Sequence, residues 1–244
     1  MSRDQSNIHA DTEADTEAGK KQLEVRDLGR IGYREALEFQ RRLNRERAED
    51  RIPDQLLLLE HPPVITMGKS APDHHVLATP EVLVREGVEI HRIERGGEVT
   101  YHGPGQIVGY VIINLRRRAR SVKRFVSDLE QVFIDLLETE YEIEARRDDE
   151  HRGVWVGPDK IAAVGIAIKN HTTLHGFAFN VNTDLEQFGW IVPCGITSGG
   201  LTSLERLLGR RQDLAQTKAA LLRSFTKVFG YPEPPPTARR TATR

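Results

Sequence analysis

Eight apolar side chains between Ser121 and Leu137 fall on a single stripe at helical spacing: Val122, Phe125, Val126, Leu129, Val132, Phe133, Leu136 and Leu137. A long amphipathic helix opened by Ser121 is the expected result, and a stripe that wide must be buried against another layer. The sequence around it supplies that layer as short apolar runs of strand length. Gln55–Glu60 reads as a buried strand broken by His61-Pro62-Pro63, and Val64–Met67 resumes it. Val99–Tyr101 and Gln106–Leu115 flank the turn Gly103-Pro104-Gly105. Gly153–Val156, Ile161–Ile168 and Thr172–Val181 follow, with Gly157-Pro158-Asp159 turning the first into the second. Further helices are expected over Tyr33–Ala48 and Asp213–Phe229. Thr202 with Glu205 reads as a capping box before Leu204, Leu207 and Leu208, stopped by Gly209. The pattern predicts an α/β (α+β) fold: a mostly antiparallel, mixed β-sheet with packed helices in a single domain.

The chain has 244 residues, enough for a full core without staples, and one cysteine, which excludes an internal disulfide. A zinc site built on several thiolates is excluded by the same count. His74 and His75 are adjacent and are expected to face apart in a solvated loop, and no metal is expected. The net charge of −1 argues against bulk electrostatic binding to nucleic acid or membrane. No stretch approaches the roughly 18 apolar residues of a membrane span. Residues 1–22 carry five acidic residues and no apolar run, unlike a signal or transit peptide, so they read as a disordered extension and the location as cytoplasmic. Residues 231–244 hold four prolines and read as a disordered tail, leaving 23–230 as the ordered body.

Three runs carry unusual chemistry. Arg95-Gly96-Gly97-Glu98-Val99-Thr100-Tyr101-His102-Gly103-Pro104-Gly105-Gln106 has four glycines, which bring backbone N–H groups close to a ligand; a glycine-rich hairpin is the plain alternative. It is neither a P-loop nor a dinucleotide fingerprint. In the second run, Lys160 to Lys169, Lys160 shares strand parity with Ala162, Val164, Ile166 and Ile168. In a regular strand its ammonium would point toward low dielectric and lose basicity, an inference that a bulge would remove. The third run spans His175–Asp184 and continues through Trp190-Ile191-Val192-Pro193-Cys194-Gly195-Ile196. Cys194 sits between proline and glycine outside any periodic element, as a presented thiol would. A nucleophilic cysteine needs a neighbouring cation or base, for which Lys160, His102, His175 and Lys169 are available.

Together these runs resemble the lipoyl(octanoyl) transferases. The matching stretches are Leu59–Gly68, Arg95–Gln106, Lys160–Gly165, His175–Val181 with Asp184 beyond, and Pro193–Ile196. Phe179 stands where leucine is usual, and Lys69 where arginine is common. The resemblance implies the fold of biotin and lipoate protein ligases, with a deep acyl pocket and no cofactor. It implies octanoyl transfer from octanoyl-acyl carrier protein to a lysine of lipoyl domains, those of 2-oxoacid dehydrogenase complexes and the glycine cleavage H protein. Cys194 would carry the acyl group as a thioester, and Lys160 would favour its thiolate and relay its proton. Substrate binding would fall to Arg95, Gly96, Gly97, Glu98, Val99, Thr100, Tyr101, His102 and Gly103, to Ala163, Val164 and Gly165, and to Gly176, Phe177 and Ala178. Alternatives are an ATP-dependent lipoate or biotin ligase, a non-catalytic acyl-carrier or lipoyl-domain binding protein, and a cysteine hydrolase using His102 or His175. Beyond the motifs, Arg116, Arg117, Arg118, Arg120, Lys123 and Arg124 set cations against the dipole at the start of the long helix, an arrangement suited to docking an acidic carrier protein.

Overall fold

A computed structural model describes residues 22–117, 121–148, 151–192 and 200–232. The strands are β1 (Leu23–Arg30), β2 (Asp54–Glu60), β3 (Val64–Met67), β4 (Glu89–Arg92), β5 (Val99–His102), β6 (Gln106–Ile112), β7 (Arg146–Arg147), β8 (Val154–Val156), β9 (Asp159–Lys169) and β10 (Thr172–Asn180). The helices are α1 (Tyr33–Ala48), α2 (Pro80–Arg85), α3 (Val122–Tyr141), α4 (Leu204–Leu208) and α5 (Leu214–Phe229). The strands divide into two sheets rather than one. Seven form the main sheet in the order β1-β2-β6-β10-β9-β8-β7, and three form a smaller one, β4-β3-β5. The main sheet is antiparallel except where β1 runs parallel to β2. The break falls at His61-Pro62-Pro63, where two prolines deny the ladder its donors and send β3 into the second sheet.

Each face of the main sheet has its own core. On one face α3 and α5 bury Phe125, Leu129, Phe133, Leu136, Leu221 and Phe225 against Ile107, Val154, Ala162, Phe177 and Phe179. On the other, α1 covers Leu57, Leu59, Val108, Tyr110, Ile112 and Ala178. The α3 stripe is as expected except at Val122, which is 47% exposed in the first turn. Ser121 caps that helix, its side chain accepting from the Arg124 amide.

Two local expectations change. The cap of α4 is Ser203, which accepts from the Arg206 amide, so Thr202 and Glu205 form no capping box; Gly209 does end the helix at φ +67°. His74 and His75 lie in a 3-10 turn, which brings their rings edge to face at 4.9 Å instead of apart. Tyr231, assigned to the tail on composition, is buried and donates to Asp54 Oδ2 at 2.8 Å. Otherwise the two terminal segments lie outside the described residues. No described helix is long and apolar enough to cross a membrane, and no described group of three or more His, Cys, Asp or Glu could hold a metal.

Candidate active site

A cavity of about 520 Å³ opens between the α1 face of the main sheet and the small sheet. Its walls come from the segments singled out in the sequence. Arg95, Gly96, Gly97, Glu98, Val99, Thr100 and His102 line it from the small sheet. Lys160, Ala163, Val164 and Gly165 line it from β9, and Gly176, Phe177 and Ala178 from β10. Tyr101 and Gly103 do not. The Tyr101 ring is fully buried against Phe188 and Trp190, and its hydroxyl meets Gln187. Gly103 serves that packing, because a side chain there would overlap the Tyr101 phenol.

The glycine loop is held in place by backbone. Gly96 N–H donates to Ile166 O at 3.0 Å, at the edge of β9 beyond the end of β8. The buried Arg95 guanidinium donates to Thr66 O and Oγ1, at 2.8 and 3.0 Å, and to Gly96 O at 3.0 Å. Its charge is thereby committed to shaping the loop.

Two backbone irregularities decide which side chains reach the cavity. The first is a bulge in β9. Val154 pairs with Ala162 but Trp155 with Lys160, so Ile161 is an extra residue and the parity of β9 reverses there. Lys160 is consequently on the face opposite Ala162. The parity argument fails, although Lys160 is buried all the same, 7% exposed, with Nζ 4.8 Å from the Trp155 ring centroid. The second irregularity is His175, at φ +61°. Regular alternation would put its ring with Phe177 and Phe179 on the α3 side. The left-handed conformation turns it to the cavity, 6.3 Å from Tyr110, and frees its N–H to donate to Gln40 Oε1 at 2.9 Å.

Lys160 is also fixed through its main chain. Its N–H donates to Gly200 O and its carbonyl accepts from Thr202 N–H, both at 3.0 Å. Gly200 and Thr202 follow the Pro193–Ile196 motif; Cys194 itself lies outside the described residues. On the other side, Val192 N–H donates to His75 O at 2.8 Å, and His75 Nδ1 lies 3.1 Å from Glu98 Oε2. Lys169 is exposed at the far end of β9, away from the cavity.

Of the histidines at the cavity, His102 and His175 are held neutral. Burial pushes His102 down to about 3, with His61 adding to the effect, and pushes His175 down to about 4. His102 Nδ1–H donates to Gln106 Oε1 at 2.7 Å, Gln106 Nε2 to Asn180 Oδ1 at 2.9 Å, and Asn180 Nδ2 to Thr202 O at 3.2 Å. This chain joins His102 to the residue bonded to Lys160. His61, which burial pushes down to about 4, donates from Nδ1 to Ile31 O and accepts from the Tyr110 hydroxyl, both at 2.7 Å. Tyr33, Tyr110, Gln106 and Asn180 line the cavity without having been singled out as binding residues. The His61 break and the Gln106 and Asn180 motif ends were the available signals for this network.

Residues 32–226 match the lipoyl protein ligase A/B catalytic domain. The chain belongs to this family. It is 50% identical over 209 residues to the octanoyltransferase of Caldicellulosiruptor saccharolyticus, covering 85% of this chain and 89% of that one. It is 51% identical over 204 residues to the octanoyltransferase of Caldicellulosiruptor bescii, covering 83% and 90%. Among solved structures, a lipoate-protein ligase A with ATP bound superposes with a TM-score of 0.68 at 14% identity, over 91% of this chain and 90% of that chain. That likeness concerns the fold.

Proposed function

We propose that the protein transfers an octanoyl group from octanoyl-acyl carrier protein to a lysine of lipoyl domains, through a thioester on Cys194. The observation that carries this reading is the buried Lys160. It sits on the wall of a cavity whose size is within the usual range for small ligands, about 300–1,000 Å³. Its main chain is bonded to Gly200 and Thr202, in the segment that follows the cysteine motif.

The chemistry proceeds in two acyl transfers. The Cys194 proton moves to Lys160 Nζ, the sulfur attacks the acyl carbon, and the bond to the carrier's sulfur breaks. Lys160 returns the proton to the departing carrier thiolate. In the second half the acceptor lysine, as free amine, attacks the same carbon; its surplus proton leaves through Lys160 and Cys194 Sγ is released. Exchange between thioesters is nearly thermoneutral and amide formation is downhill, so no nucleotide is required. Backbone N–H groups of Gly97 and Glu98 and of the Ala163–Gly165 segment are the donors offered to the oxyanion, the Gly96 N–H being engaged by Ile166 O. Gly165 and Ala178 leave room for the eight-carbon chain. The acceptors would be lipoyl domains of 2-oxoacid dehydrogenase complexes and the glycine cleavage H protein.

Incubation with octanoyl-acyl carrier protein alone, read by intact mass spectrometry, is expected to give an octanoyl adduct on Cys194 that disappears when a lipoyl domain is added. Cys194→Ala should carry no adduct, and both Cys194→Ala and Lys160→Ala should abolish transfer. An adduct on Cys194→Ala, or strict dependence of transfer on ATP, would refute this reading.

A further inference from the structure

Among the described cavity residues, Lys160 carries the charge that the proposed reaction uses, and it is buried. Desolvation alone favours the neutral amine, which would leave the thiol protonated. The surroundings oppose this. The Trp155 ring is 3% exposed, stands directly across the β8–β9 ladder from Lys160 and presents its π system at 4.8 Å from Nζ. The indole is itself held, since Nε1–H donates to His151 O at 3.3 Å. Gly153 completes the arrangement: Lys160 Cδ and Cε lie 3.4 Å from where a Cβ on Gly153 would stand, and φ +130° reserves the position for glycine.

We propose that Trp155 is a positioning residue for the transfer reaction. Its indole face holds Lys160 as an ammonium at the cavity wall and biases the proton shared by Lys160 and Cys194 toward nitrogen, leaving sulfur as the thiolate. This rests on the assignment of Lys160 and Cys194 made above. An aromatic face suits the task better than a second carboxylate. It attracts the cation without offering a strong acceptor for its protons, so those protons stay available for the leaving sulfur. Among the described residues, charged or titratable groups near Lys160 include Glu130 from α3, on which its charge acts, His151 and Arg152 ahead of β8, which line the same cavity, and its chain neighbour Asp159. Burial raises the pKa of Glu130, against the opposing Gly153 N–H at 3.0 Å, Arg147 Nε at 3.4 Å and the positive charges of Arg147, Arg152 and Lys160. Asp159 Oδ1 accepts from Gly200 N–H at 2.8 Å. The Glu130 and Asp159 contacts do not involve Trp155, and a fluorinated indole keeps the bond to His151 O, so comparing labelled with unlabelled protein isolates the π face.

The chain has one cysteine, so alkylation by iodoacetamide reports on Cys194 alone. In Trp155→Leu the alkylation rate in the neutral range is expected to fall roughly three- to tenfold. It should recover at alkaline pH, where both groups have lost their protons. Trp155→Phe should keep most of the rate, and KM for octanoyl-acyl carrier protein should not move, because Trp155 does not line the cavity. Protein labelled with 5-fluorotryptophan keeps the ring's shape and weakens its π face. It should show a smaller drop, with Trp190→Phe as the control for the second tryptophan, and it decides the matter if Trp155→Leu does not fold. Equal neutral-pH rates in unlabelled and fluorinated protein, or in wild type and a folded Trp155→Leu, would overturn the proposal. A Lys160→Ala protein that alkylates as fast as wild type would instead overturn the Lys160–Cys194 assignment itself.

Discussion

Around His61, His102 and His175 burial outweighs every stabilising contact to the charged ring, and the hydrogen bonds select a tautomer. Because Ile31 O can only accept, His61 carries its hydrogen on Nδ1 and offers Nε2 to the Tyr110 hydroxyl. Unfolding releases each ring to its ordinary value near 6.5, whereas the folded protein holds them at about 4, 3 and 4 respectively. Between these limits the unfolded chain binds more protons than the folded one. The stability these rings contribute is therefore complete above about pH 6.5 and is lost as pH falls toward 4. Each neutral histidine steepens the decline by up to ~1.4 kcal/mol per pH unit. Urea unfolding measured from pH 7.5 to 4.5 is expected to show this loss, and His175→Gln should flatten it. A pH-independent unfolding midpoint over that range would show that these rings are not held neutral.

At the scale of elements, the strands around the cavity work through places where they stop being regular. Gly109 on β6 lies opposite Phe177 on β10, whose ring folds over it and is backed by Phe133 at 4.9 Å. A methyl group at position 109 would overlap that ring, so Gly109→Ala is expected to cost about 1–3 kcal/mol in chemical denaturation, the usual range for overpacking. An unchanged midpoint would mean the Phe177 ring has somewhere else to go. The periodic elements were legible in the sequence because their burial has a period: α1 was expected over Tyr33–Ala48 and occupies those residues, α5 agrees within a residue, and α3 starts directly after Ser121 but continues past the last stripe residue, Leu137, to Tyr141. β1, α2, β4 and β7 were missed. Their burial is partial or irregular, as in the half-exposed β1 and the exposed α2, and leaves little apolar pattern to detect. Most of the candidate site was also legible, because glycine runs and motif order mark which segments approach a ligand. Side-chain direction was not. A bulge at Ile161 and a left-handed His175 each reverse a parity that alternation alone would assign, and neither irregularity is written in hydrophobicity. Tyr101 shows the converse, a motif residue used to pack the small sheet.

The whole molecule separates stability from chemistry by sheet face: the large aromatic and aliphatic core lies under α3 and α5, and the cavity lies on the α1 side. The basic segment leading from β6 into α3 belongs to neither core. Arg118 and Arg120 lie outside the described residues. Of the rest, Arg117 pairs with Asp50 at 2.6 Å, bracing the end of α1, and Arg124 pairs with Asp128 at 2.8 Å one turn along α3. Two of the six cations therefore have an internal role, and reversing them would disturb local structure together with any surface field. Arg116 and Lys123 are exposed and better report on docking. With a net charge of only −1, the chain can attract an acidic partner only locally, and a patch of this kind acts within about one Debye length, ~8 Å at physiological salt. If the patch receives the carrier protein, Arg116→Glu with Lys123→Glu should raise KM for octanoyl-acyl carrier protein several-fold at low ionic strength. The difference should shrink as salt is added, while kcat and the KM for the lipoyl domain stay put. Steady-state kinetics at two salt concentrations separates this from a folding defect, which would lower kcat at both. A carrier KM unchanged at low salt would leave the patch as a solvated loop with two structural arginines.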